Sequence, residues 1–174
     1  MFQFPLRSSP VAVGSNISVT IIQYIPFCRH IFNVNKIYAD AYIQQNSSGG
    51  ERYPDVKAAI TRAIETGTLV FDYFGHGGED GFAAERFLDI PQIKGFKNEN
   101  TLPLFISITC EFSRFDNPLR TSAGENVFWN TSGGAVSMIT TTREVFISTG
   151  QALNTNIMSV LLDFNDEVLT IVVS

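Results

Sequence analysis

Thr68-Leu-Val-Phe-Asp-Tyr-Phe74 and Leu102-Pro-Leu-Phe-Ile-Ser-Ile-Thr109 are the two apolar stretches that decide the fold of this chain. The first is followed by Gly75-His-Gly-Gly78, and the second is followed by Cys110-Glu111. Short apolar runs that end in glycine or in polar residues are typical of buried β-strands. The pattern predicts two strands of one sheet, one ending at a histidine and the other at a cysteine.

The segments around these two strands predict an α/β domain with a mostly parallel sheet. Apolar residues recur at helical spacing in Pro54–Thr66, and Gly67 is well placed to end that helix. A helix with one apolar face that leads into a strand with apolar residues on both faces is typical of α/β sheets. Further helices are predicted over 89–94, 122–130 and 150–164, and further strands over 17–22, 33–42, 133–141 and 169–173.

Length, charge and cysteine content narrow the class of protein. A chain of 174 residues is long enough for one domain with a sizeable core, and its 15 phenylalanines predict a core built on aromatic side chains. The net charge of −5 argues against binding to nucleic acid, which needs a basic surface. Two cysteines are too few for a disulfide framework, and no apolar stretch is long enough to cross a bilayer. The run from Val11 to Ile25 is too diluted by polar residues to resemble a signal peptide.

His76 and Cys110 are the candidate catalytic residues. The carboxyl ends of neighbouring parallel strands meet at one edge of a sheet, so both side chains would open into one cleft. A nearby imidazole favours the thiolate form of cysteine, which is the nucleophile, and can later protonate a leaving amine. The backbone N–H groups of Gly77 and Cys110 are available as an oxyanion hole. The chemistry calls for no metal and no cofactor.

The sequence is also compatible with roles other than catalysis for these residues. A cysteine at a strand end is often a small buried apolar residue, and a histidine beside glycine is often only a turn residue. A glycine-rich loop after a strand can also cradle phosphate, although this loop lacks the Lys-Ser/Thr of a P-loop. Cys28 and His30 lie close together but lack the further ligands of a zinc site. The carboxylate that would orient His76 is not identified, and the nearest carboxylates in the sequence belong to Asp72, Glu79 and Asp80.

Four blocks of the sequence stand out, namely Asp72-Tyr-Phe-Gly-His-Gly-Gly78, Thr109-Cys-Glu-Phe-Ser-Arg-Phe-Asp116, Arg120-Thr-Ser-Ala-Gly-Glu125, and Gly133-Gly-Ala135 with Thr140-Thr-Thr-Arg143. Together they resemble the gingipain family of caspase-like cysteine peptidases. Within that family they are most similar to the surface peptidases, or sortases, of the type IX secretion system. The resemblance covers about Asn33 to Asp163.

The resemblance implies a caspase-like three-layer α/β sandwich in which His76 and Cys110 form the catalytic dyad. It further implies a protein substrate, the C-terminal sorting domain of a secreted cargo protein, with other secretion components as possible partners at the cell surface or outer membrane. Thr141 and Arg143 follow the third buried strand and are expected to contact the substrate. Residues 1–33 match the family poorly, and 34–174 correspond to the C-terminal part of the catalytic domain, truncated at its end. The chain is therefore expected to be a fragment with an incomplete sheet, and the competing hypothesis is an inactive scaffold module.

Overall fold

The computed structural model describes residues 18–22, 34–47 and 50–161. The strands in this part of the chain are β1 (Ser18–Ile22), β2 (Val34–Tyr38), β3 (Gln45–Ser47), β4 (Gly50–Arg52), β5 (Val70–Phe74), β6 (Gly77–Gly78), β7 (Gly81–Phe82), β8 (Leu88–Asp89), β9 (Leu104–Ile108) and β10 (Ser137–Thr140). The helices are α1 (Pro54–Thr66), α2 (Ile90–Lys94), α3 (Ala123–Phe128) and α4 (Ile147–Leu161). The predicted strand over 169–173 and the pair Cys28 and His30 lie outside the described residues.

A five-stranded sheet in the order β10-β9-β5-β1-β2 forms the centre of the described domain. Strands β5, β9 and β10 are parallel to one another, whereas β1 pairs antiparallel with both β5 and β2. The predicted parallel sheet is therefore confirmed for the half that carries His76 and Cys110, and the other half is antiparallel. Two short antiparallel groups, β3-β4 and β6-β7-β8, complete the strands of the described residues.

Local sequence signals mark the end of helix α1 and the start of helix α3. Helix α1 covers the predicted residues and ends at Gly67, which has a φ of 113° that favours glycine. Helix α3 begins with a capping box between Ser122 and Glu125. No helix in the described ranges is both long enough and apolar enough to cross a membrane.

Strand β10 is shorter than the sequence predicts because the backbone of Gly134, just before it, is bonded to a side chain. The side chain of Asn98 accepts a hydrogen bond from the Gly134 N–H at 2.8 Å and donates one to its carbonyl at 3.0 Å. Gly134 also has a φ of 102°, which is far from strand geometry. The backbone groups that a strand would use are therefore occupied by a buried side chain.

An aromatic layer fills the space between the sheet and helices α1, α2 and α3. It contains stacked or tilted rings from both central strands and from the segments that follow them, namely Phe71, Tyr73, Phe82, Phe105 and Phe112. All five side chains are essentially inaccessible to solvent. The predicted aromatic core is confirmed, and buried aliphatic residues of the helices pack around it.

Helix α4 packs on the opposite face of the sheet, against Val70, Ile106 and Ile108. Its first turn contains the buried Gly150, where a methyl group would lie 3.0 Å from Phe74 Cε2 and 3.2 Å from Ile108 Cγ2. The absence of a side chain at this position lets the helix backbone rest directly on the last residues of β5 and β9.

Asp72 is a buried carboxylic acid between β5 and α4. Its Oδ2 atom accepts a hydrogen bond from Asn154 Nδ2 at 3.2 Å, while Asp72 Oδ1 and Asn154 Oδ1 have no partner among the described residues. Burial raises the pKa of Asp72 to about 6, and the hydrogen bond from Asn154 opposes this effect. A change of pH around 6 therefore changes the charge of a side chain that lies between β5 and α4.

We expect Asp72 to lower the free energy of unfolding as the pH rises from about 4 to about 6. Folding raises the pKa of Asp72 from 3.8 to about 6. The contribution of the protonated Asp72 side chain to stability is therefore complete below pH 3.8 and is lost as the pH rises through about 6. The loss over this window amounts to about 3 kcal/mol. Asp72→Asn should flatten the profile in urea unfolding experiments across this pH range.

Asp116→Asn is the matched control, because that carboxylate is exposed and its pKa is lowered by a hydrogen bond from Arg143. Its stabilising contribution has the opposite sign and is lost as the pH falls. An unchanged slope between pH 4 and pH 6 in Asp72→Asn would show that another group is responsible.

Candidate active site

The pairing of β5 with β9 brings the two candidate catalytic residues to one edge of the sheet. Phe74 and Ile108 are register partners, and the Gly75 N–H donates to the Ile108 carbonyl at 3.4 Å. His76 and Cys110 each follow two residues after this paired position. The prediction that the two strands are parallel neighbours is therefore confirmed.

His76 lies at the start of a small hairpin formed by β6 and β7. Its carbonyl accepts hydrogen bonds from the Ala83 N–H at 2.9 Å and from the Tyr73 hydroxyl at 2.6 Å. Burial raises the pKa of Tyr73 well above its ordinary value, so the phenol remains protonated and able to donate. The His76 backbone is thus fixed, while its side chain is exposed and its imidazole makes no hydrogen bond within the described part of the chain.

The Gly77 N–H points away from the hairpin partner strand. The His76 carbonyl accepts a hydrogen bond from the Ala83 N–H, so these two residues form a hydrogen-bonded pair of the hairpin. Hydrogen-bonded and non-hydrogen-bonded pairs alternate along an antiparallel ladder. The next pair, Gly77 and Phe82, is therefore not hydrogen-bonded. A methyl group at Gly77 would lie 2.5 Å from Thr109 Oγ1 and 2.8 Å from the Gly81 carbonyl. The Gly77 backbone therefore packs directly against the residue before Cys110.

Cys110 begins the loop after β9, and its side chain is partly exposed. Its Sγ atom lies 3.9 Å from the Val145 carbonyl oxygen, just before helix α4. The next residue, Glu111, has a φ of 51° and donates its N–H to the Arg143 carbonyl at 3.2 Å. The segment after β10 therefore runs along the loop that carries the cysteine.

Thr141 and Arg143, the expected substrate contacts, both lie in that segment. The Thr141 hydroxyl donates to the Thr109 carbonyl, and the Thr141 carbonyl accepts from the Ser113 N–H at 3.0 Å. The Arg143 guanidinium forms an exposed ion pair with Asp116. The polar side-chain groups of both residues are therefore engaged with the chain itself.

A cavity of about 480 Å³ adjoins His76. Its wall includes Gly77 and Gly78, and at Gly78 an added methyl group would meet no atom within 4 Å. The non-glycine residues with positive φ in the described ranges all line this cavity, namely Ala83, Arg86 and Glu111. Such conformations cost free energy and cluster at functional sites.

The three candidate orienting carboxylates are bound to other groups. Glu79 accepts hydrogen bonds from Asn117 and forms ion pairs with Arg114 and Arg120, Asp80 pairs with Arg120, and Asp72 accepts from Asn154. None of them is bonded to His76 within the described residues. The described part of the chain also contains no group of three or more His, Cys, Asp or Glu side chains that could hold a metal ion.

Sequence reasoning missed two features of the site. The hairpin is one, although Gly78-Glu-Asp-Gly81 between chain-reversing glycines is a recognisable signal for a two-residue turn. The other is the Tyr73 hydroxyl, which belongs to a buried strand but bonds to the backbone of His76. No pattern in the sequence identifies that contact, because Tyr73 alternates with Asp72 and Phe74 like any inward-facing residue.

We expect Gly77→Ala to destabilise the protein and Gly78→Ala to leave its stability nearly unchanged. The first methyl group would clash with Thr109 and with the Gly81 carbonyl, whereas the second would enter open space. Overpacking of this kind costs about 1–3 kcal/mol. Thermal unfolding of both variants provides the measurement, and equal melting temperatures would contradict the close contact between the hairpin and β9.

Comparison with known proteins completes the description of the site. The model of peptidase family C25 matches residues 9–173, which is far more than half of the 174 residues. No curated protein and no solved structure matches the chain. The family match confirms the resemblance to gingipains. The chain belongs to peptidase family C25, the gingipain family of cysteine peptidases.

Proposed function

We propose that this chain carries the catalytic centre of a cysteine endopeptidase, with Cys110 as nucleophile and His76 as general acid and base. The observation that carries the proposal is the register of β5 and β9, in which both residues follow the paired positions Phe74 and Ile108 by two residues. The exposed imidazole and the partly exposed thiol are both accessible from the same edge of the sheet.

The proposed reaction proceeds through a thioester. The Cys110 sulfur attacks the carbonyl carbon of the scissile peptide bond, and His76 holds the proton taken from the thiol. His76 then gives this proton to the leaving nitrogen as the carbon–nitrogen bond breaks. In the second step His76 removes a proton from water, which attacks the thioester, and the released sulfur recovers that proton.

The oxyanion of each tetrahedral intermediate needs fixed donors, and we assign this role to the N–H groups of Gly77 and Cys110. The orientation of the Gly77 N–H away from β7 supports the assignment, because the ladder does not consume this donor. The double hydrogen bond to the His76 carbonyl also fixes the peptide plane that contains the Gly77 nitrogen. Preorganised donors of this kind supply a large share of catalysis in acyl transfer.

The substrate is proposed to be an extended peptide that lies between the Gly77-Gly78 backbone and the segment around Thr141 and Arg143. The open space at Gly78 and the adjoining cavity, which is lined by the hairpin and by Glu111, support the hairpin side of this position. The Thr141 hydroxyl, the Arg143 guanidinium and the backbone carbonyls of both residues are already engaged within the chain, so we assign substrate contacts in this segment to the remaining backbone N–H groups.

We further propose a caspase-like three-layer sandwich and a function of the PorU type. PorU is the surface sortase of the type IX secretion system, and the four sequence blocks around His76, Cys110, Arg120 and Thr140 support this assignment. The substrate would then be the C-terminal sorting domain of cargo proteins, cleaved at the cell surface or outer membrane. The placement of helices on both faces of a mixed sheet with three parallel strands supports the sandwich.

We expect a peptidyl chloromethyl ketone to alkylate Cys110 selectively. In His76→Ala the labelling should slow by about 100-fold, because a positioned base typically contributes at least that much. Peptide mapping by mass spectrometry distinguishes Cys110 from Cys28, which serves as the internal control. Equal labelling of the two cysteines, unaffected by His76→Ala, would contradict the proposed dyad.

Hydrolysis of a cargo-derived peptide tests the activity itself. Cleavage by the 174-residue chain that is lost in Cys110→Ala would support the endopeptidase and exclude an inactive scaffold module. Selective labelling without cleavage would indicate that the dyad is formed but that this chain does not turn over substrate.

A further inference from the structure

We propose that Glu79 is a positioning residue that holds the His76 hairpin against the loop carrying Cys110. The inference rests on the proposed function and adds to it the contacts that hold His76, the oxyanion donors and Cys110 in fixed relative positions. The observation behind it is that one carboxylate in the hairpin turn receives side chains from three positions in the loop after Cys110.

Glu79 occupies the hairpin turn three residues after His76, and only about 10% of its side chain is exposed. Asn117 Nδ2 donates to Oε2 at 2.9 Å and to Oε1 at 3.1 Å. Arg120 Nε lies 3.2 Å from Oε2, and Arg114 Nη1 lies 3.3 Å from Oε1. Both oxygens of the carboxylate are therefore engaged by the post-cysteine loop.

Arg114 extends this contact to the neighbour of the nucleophile. The same Nη1 atom that bonds to Glu79 also bonds to Glu111 Oε1 at 2.9 Å. Glu111 follows Cys110 directly and has the strained positive φ described above. One guanidinium nitrogen thus bridges the hairpin of the base and the residue beside the nucleophile.

The backbone of Glu79 adds a second tie. Its carbonyl accepts the N–H of Ala123, the first residue of α3, at 2.7 Å. The next residue of that helix, Gly124, donates its N–H to the Phe112 carbonyl at 2.8 Å. Helix α3 therefore contacts both the hairpin turn and the loop that follows Cys110.

The hairpin needs such ties because glycine dominates its backbone. Gly75, Gly77, Gly78 and Gly81 lie within seven consecutive residues, and glycine has more conformational freedom to lose than any other residue. An isolated surface ion pair contributes little to order. Glu79 differs because it is largely buried and receives several charge-assisted hydrogen bonds as a network.

The adjacent carboxylate provides a matched control. Asp80 lies in the same turn and pairs with Arg120, but 72% of its side chain is exposed, and the ion pairs of Arg114 among the described residues do not include it. If any negative charge in the turn were sufficient to position the hairpin, substitution of Asp80 and substitution of Glu79 would have the same effect on Cys110. If position is what matters, only Glu79 should influence Cys110.

The experiment measures the rate at which iodoacetamide alkylates Cys110 in the full 174-residue chain, at about pH 6 and at about pH 9. Peptide mapping assigns the label, and circular dichroism with thermal melting shows whether each variant is folded. The proteins are the wild type, His76→Ala, Glu79→Ala, Arg114→Ala, the double variant Glu79→Ala/Arg114→Ala, and Asp80→Asn. If Glu79→Ala fails to fold, Glu79→Gln keeps the side-chain volume and weakens the ion pairs, and it replaces the alanine variant.

We expect Glu79→Ala to slow alkylation at about pH 6 by about tenfold to 100-fold while changing the rate at about pH 9 much less, as misplacement of a catalytic group by about 1 Å does. A merely structural role would lower the melting temperature without changing this ratio in the folded protein. The double variant should be no slower than the slower single variant, since both substitutions break the same bridge. Asp80→Asn should behave like the wild type.

Two negative results are distinguishable. If the wild type and His76→Ala have the same rate ratio, the proposed dyad is wrong, and the positioning role falls with it. If His76→Ala changes the ratio and folded Glu79→Ala does not, or if Asp80→Asn has the same effect as Glu79→Ala, the dyad stands and the positioning role is overturned.

Discussion

The parallel pairing of β5 with β9 is the constraint on which the rest of the described structure depends. Five consecutive register pairs from Val70 to Phe74 align the two strands, and a one-residue slip would exchange their buried faces. Asp72 would then enter the aromatic layer, and the aromatic rings would face α4. The same register fixes the distance along the sheet at which His76 and Cys110 leave it. Core packing and site geometry are therefore set by one ladder.

The aromatic layer couples the hairpin to this ladder. Phe82 belongs to β7, yet its ring is fully buried and stacks on Tyr73 with centroids 3.7 Å apart. Tyr73 in turn donates its hydroxyl to the His76 carbonyl. The hairpin is thus held by two kinds of contact, the burial of Phe82 in the aromatic layer and the ion pairs of Glu79. The two kinds of contact respond differently to conditions, since salt screens the ion pairs much more than it affects the packed rings.

Periodicity and turn chemistry were sufficient to predict the central strands, the helix over Pro54–Thr66 and the edge of the sheet at which the site lies. They depend on local signals, namely apolar runs, a Pro start and a Gly stop, and these signals act in the same way in most folds. The antiparallel position of β1 between β5 and β2 was beyond reach, because a short apolar strand carries no mark of its partner. The charged network around Glu79 was also beyond reach, since it joins residues 35 to 41 positions apart in the sequence. The two catalytic candidates could be found only because each lies two residues after the end of a strand.

The close approach at Gly150 joins helix α4 directly to the ends of two strands. Helix α4 has no side chain that could adjust at that contact, so its first turn bears directly on Phe74 and Ile108. Those two residues are the last of the strands that lead to His76 and Cys110. A small displacement of α4 would therefore be transmitted to both strand ends at once, because packed interiors are stiff. A partner that binds the outer face of this helix could therefore change the spacing between His76 and Cys110.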